Sequence, residues 1–142
     1  MDIKFKSKKE VETKKDSKSE SEVAEFVSYL QACSIVVKRM HWKTTSYSTH
    51  KTLDKLFEGL LDNTDSIAEK ASGYLGIHLS DFEDYPCTKY TSMEPSTYLK
   101  EVKTYIQSNR YIIFPKDYSP IQNEIDNLTN LIDNSLYLLT LK

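Results

Sequence analysis

The chain has 142 residues, 39% of them hydrophobic, with three Gly and four Pro: enough for one small helical core, and too few turn formers for an all-β fold. Its formal net charge of −2 does not mark the folded body as a nucleic-acid binder. Two Cys without metal-ligand spacing, no apolar run long enough to span a membrane and no signal-peptide core point to reduced thiols in an intracellular protein, or one packaged within a particle, and not to a secreted one.

Residues 1–19 carry seven Lys against four acids and only Ile3, Phe5 and Val11 as sizeable apolar positions after Met1. Such a segment buries too little to offset its ordering entropy, which predicts a mobile Lys-rich tail ahead of a domain over 20–142. Over about 20–43, Val23, Phe26, Val27, Leu30, Cys33, Val37 and His41 form one stripe at helical spacing. A short turn, Thr44 to Tyr47, leads to a second helix over about 48–74, whose apolar face holds Leu53, Leu56, Phe57, Leu60, Leu61, Ile67, Ala68 and Ala71. Gly73 and Gly76 break that period, and residues 76–95 form a long connection. A third helix over about 95–110 carries Leu99, Val102, Tyr105 and Ile106. Ser119-Pro120-Ile121-Gln122 then predicts a capping box and first-turn Pro opening a fourth helix, with Ile125, Leu128, Leu131, Ile132, Leu136 and Leu139 on its face.

The chemistry is concentrated around the first turn. His41 closes the first helix on its inward stripe, and His50 opens the second, so the two imidazoles can converge. His50 and Asp54 are one turn apart, as are Asp65 and Glu69, and all four flank the apolar stripe on one side. Two imidazoles with three carboxylates are the ligand mixture expected for iron or another first-row metal. Asp54 and Asp65, however, lie roughly 16 Å apart along the helix, too far to share an ion. One chain therefore carries two half-sites, and an antiparallel second copy would complete two equivalent sites across a two-fold axis.

His41-Trp42, then His50, Asp54, Asp65 and Glu69, resembles the signature of Dps-type mini-ferritins. The resemblance implies an all-α, ferritin-like four-helix bundle with one long connection between its second and third helices. It also implies an inter-subunit ferroxidase centre in which His41, His50 and Asp54 of one subunit face Asp65 and Glu69 of its dimer mate, acting on iron (Fe). Trp42 would pack near the centre and limit solvent access. A short helix in the long connection would cover the dimer interface, bringing in Leu79, Phe82 and Tyr85. Dimers of such proteins assemble further into a dodecameric shell, and some bind DNA through a Lys-bearing N-terminal tail.

The expected activity is oxidation and sequestration of Fe(II) at a site shared by two subunits, protecting against oxidative damage. Two alternatives belong to other classes. One is a catalytically inactive ferritin-like packaging or structural protein, favoured by the short His-to-His turn and brief third helix. The other is a non-specific DNA-binding protein acting through residues 1–19, since the body without them carries 12 basic against 17 acidic residues.

Overall fold

In a computed structural model, residues 20–141 are described with their side chains. The side chains of the Lys-rich tail expected over residues 1–19, and with them its DNA contact, lie outside the described residues. The chain is all-helical, with no strand among the described residues. Its elements are α1 (Asp2–Lys43), α2 (Tyr47–Leu75), α3 (Cys87–Thr91), α4 (Pro95–Ile113) and α5 (Ser119–Leu138).

From Val23 onward α1 turns Phe26, Leu30, Cys33, Val37 and Met40 inward. They meet Leu53, Leu56, Leu60 and Ile67 of α2, Leu99, Val102 and Ile106 of α4, and Ile121, Ile125, Leu128 and Ile132 of α5. Four amphipathic stripes thus bury one another around a common core, because none has another way to leave water. The α1–α2 turn is only Thr44–Ser46. Thr44 N–H bonds the Met40 carbonyl at 3.0 Å, and Ser46 caps α2 by accepting from Thr49 N–H at 3.3 Å. A turn that short makes α1 and α2 antiparallel neighbours. At its far end α2 is stopped by Gly76, whose φ of 68° an L-side chain rarely adopts, with its N–H on the Ser72 carbonyl.

The long connection after α2 lies along α1. Glu83 N–H donates to Ser28 Oγ at 3.0 Å, Ser21 Oγ to Asp81 at 3.2 Å, and Arg39 to Thr88 at 3.3 Å. The short α3 belongs to this strip, and Phe82 stands exposed beside it.

The capping box expected at Ser119 does not form. Tyr118 occupies the cap position without a side-chain bond. Gln122 is buried, and its amide NH2 donates to the carbonyls of Arg110 and Pro115 at 3.2 and 3.1 Å, while its Oε1 accepts from Arg110 Nε at 2.9 Å. The Arg110 and Pro115 carbonyls already accept the backbone N–H groups of Phe114 and Tyr118, and Gln122 adds a second bond to each, tying the first turn of α5 to the end of α4. A buried amide needs partners for its own donors and acceptor, and that demand outweighs capping an exposed helix start.

Candidate metal half-site at the first turn

The antiparallel pairing of α1 and α2 sets His41 against His50. His41 Nδ1 lies 2.7 Å from the His50 carbonyl oxygen, and His50 Nδ1 lies 2.9 Å from the His41 carbonyl oxygen. A carbonyl can only accept, so each Nδ1 carries the proton and donates it. The rings stack with centroids 3.7 Å apart at 19°. The carbonyl of His41 is among the last four of α1, which have no partner within the helix, so the contact also finishes that helix end. Each imidazole is held in one tautomer and one orientation, which leaves Nε2 as the ring's donor atom for a metal. His41 is only 6% exposed, and His50 is half-buried.

Asp54 follows one turn after His50. Its Oδ1 is 3.9 Å from His41 Nε2, beyond hydrogen-bond length, and 2.9 Å from Lys38 Nζ. The Lys38 ammonium, hydrogen-bonded to Asp54, holds its carboxyl below the usual carboxylate range against the opposing effect of desolvation. Lys38 also sits over the faces of Phe57, at 4.8 Å, and Trp42, at 5.8 Å. Sequence reasoning passed over Lys38. The available signal was its place one turn before His41, on the side of α1 that an antiparallel α2 would present to Asp54.

Asp65 and Glu69 are exposed further along α2, and no group of three or more His, Cys, Asp or Glu within the chain could hold a metal ion among the described residues. The structure thus brings His41, His50 and Asp54 together and leaves Asp65 and Glu69 apart from them. Trp42 does not shield the half-site within one chain: 68% of it is exposed. Ile35 on α1 and Leu61 on α2 are exposed as well, so the surface bearing the half-sites also carries large apolar side chains.

A cleft of about 450 Å³ opens beside the same turn, lined by Met40, Lys43, Thr49, Met93 and Glu94 among others. It touches the sequence neighbours of both histidines but neither histidine.

Among known proteins, the chain is 29% identical over 123 residues to an uncharacterized 14.6 kDa protein from the mobD-ri intergenic region of Enterobacteria phage T4. The alignment covers 86% of this chain and 91% of that protein. No solved structure matches the chain. A family model described as a family of unknown function, DUF5856, matches residues 41–139, from the first of the paired histidines to the end of α5. The chain belongs to that family, DUF5856.

Proposed function

We propose that the protein is a Dps-like iron-handling protein, a ferritin-like bundle that oxidises and sequesters Fe(II) at sites completed by a second copy of itself. The observation that carries this reading is the reciprocal His41–His50 lock. Fixing Nδ1 on a carbonyl is how proteins orient imidazoles whose Nε2 binds a metal, and here two such rings stand beside a carboxylate. Two imidazoles and one carboxylate with open positions suit Fe(II) and leave room for an oxidant. Iron is the substrate: two Fe(II) give up one electron each to hydrogen peroxide, which takes two protons and leaves as two waters, and the carboxylates retain the Fe(III) product.

The positions on α2 fit a two-fold pairing. Residues 50 and 69 are centred on the same point as 54 and 65, between Gly59 and Leu60. An antiparallel second copy with its axis there would oppose His50 to Glu69 and Asp54 to Asp65 at both ends at once. The exposed Leu61 lies close to that axis and would be covered by the pairing.

The test is complementation between defective subunits. His50→Ala and Asp65→Ala chains should each lose Fe(II) oxidation, and a mixture allowed to exchange should regain part of it. In the heterodimer one site keeps both residues and the other loses both. No recovery, with exchange confirmed by native mass spectrometry, would sink the inter-subunit site.

One observation favours the catalytically silent alternative: Lys38 already satisfies Asp54. Iron titration separates the two, since a silent bundle takes up no stoichiometric Fe(II). DNA binding through residues 1–19 rests on their seven Lys. It is tested by gel shift with and without that segment, and an unchanged shift on its removal would exclude it.

A further inference from the structure

Glu25, Tyr29, Cys33, Val37 and His41 are spaced four apart and form one row of α1, running from the candidate half-site to the far part of the helix. Three of its members join a network of oxidisable side chains that the metal chemistry does not use. Cys33, with 1% of its surface exposed, lies beside the phenol groups of Tyr29 and Tyr98. Tyr29 stacks on Tyr105 with centroids 3.6 Å apart and meets Tyr85 edge-on at 5.4 Å. Tyr105 also lies beside Tyr85, and Tyr85 donates its phenolic proton to Glu25 Oε1 at 3.3 Å. Glu25 is exposed. A column of phenol groups with Cys33 at its inner end therefore leads from the core to a surface carboxylate, and Cys33 is roughly 12 Å along α1 from His41.

Resting on the iron-oxidation reading, we propose that this column is an exit path for oxidising equivalents that escape the metal site, and that Tyr85 is where they come to rest. A tyrosine gives up an electron readily only if its proton has somewhere to go. Burial pushes the phenols of Tyr29, Tyr98 and Tyr105 well up, and the Cys33 thiol up to about 12, so proton loss is disfavoured inside the column. Tyr85 is the column's member with a carboxylate on its hydroxyl. In the step itself, the electron of Tyr85 passes inward and its proton goes to Glu25. The electron reduces a one-electron oxidant of the hydroxyl-radical class, formed when Fe(II) meets peroxide, to hydroxide, which takes a proton from solvent and becomes water. A soluble thiol or ascorbate-class reductant then returns an electron and a proton to Tyr85.

The path is tested first without iron. A Cys87→Ser, Thr45→Cys chain bearing a thiol-linked ruthenium photo-oxidant starts the hole at the turn end of the bundle, and freeze-quench electron paramagnetic resonance reads where it settles. A phenoxyl signal is expected in this chain. It should be lost in Tyr85→Phe and in Tyr29→Phe, which keep the rings and the fold, and should be shorter-lived in Glu25→Gln. A signal unchanged by Tyr85→Phe or by Tyr29→Phe overturns the proposal. The second arm replaces light with Fe(II) and peroxide. A Tyr85 radical that vanishes in His50→Ala supports both the path and its source. A signal with light but none with iron leaves the column standing and overturns the metal-site reading.

Discussion

At the scale of a single residue, the His50 ring proton closes the end of α1 on the His41 carbonyl, while the His41 ring proton fixes its own imidazole on the His50 carbonyl. Lys38 and Asp54 form the pair beside them, and Lys70 with Glu124 forms a second between α2 and α5, at 2.9 Å. The Lys70 hydrogen bond holds the Glu124 carboxyl below its usual value. A carboxyl whose pKa is lower in the folded state adds stability above its unfolded value, and that stability disappears as pH falls through the folded value. Urea unfolding between about pH 3 and pH 7 should show Glu124→Gln losing less than about 1 kcal/mol near neutrality and nothing at the acid end. Arg110 is a heavier case. It is buried, donates to the Gln122 side chain and carbonyl at 2.9 and 3.0 Å, and reaches exposed Asp126 at 2.7 Å. Arg110→Met strands the Gln122 acceptors in the core and should cost about 2–4 kcal/mol in urea unfolding, whereas Asp126→Asn should cost under about 1.

At Gly59, α2 packs directly against Leu131 of α5. A Cβ there would overlap the Leu131 side chain. Overpacking of that kind costs about 1–3 kcal/mol, against about 1 kcal/mol that Ala returns through helix propensity. Gly59→Ala should therefore lower stability by about 1 kcal/mol, and Leu131→Ala in the same chain should abolish the overpacking part, seen as a coupling in a double-mutant cycle by thermal unfolding. The fourth helix shows how a local motif loses to a tertiary demand. Ser119 and Gln122 have capping-box spacing, yet Gln122 is buried against the end of α4 and bonds Arg110 and Pro115 there, leaving the exposed start of α5 without a side-chain cap.

For the whole molecule, the proposed two-fold makes a prediction independent of iron. Leu61→Asp places like charges near the axis while changing a half-exposed position outside the core. Sedimentation should then show a species of half the mass with unchanged helicity, and Fe(II) oxidation should fall with it. A wild-type chain that sediments as a monomer at micromolar concentration would count against the assembly.

The helices and their inward faces were legible in the sequence because hydrophobic period is a local property: the stripes of α1, α2, α4 and α5 can be read from residues three and four apart. The convergence of His41 with His50 was legible too, since a short turn leaves antiparallel pairing as the one way to bury both stripes. Lys38 on Asp54, Gln122 on the end of α4 and the tyrosine column on Cys33 were not. Each joins residues distant in the chain through hydrogen-bonding groups that carry no periodic signal, so which donor met which acceptor was decided only when the helices had packed.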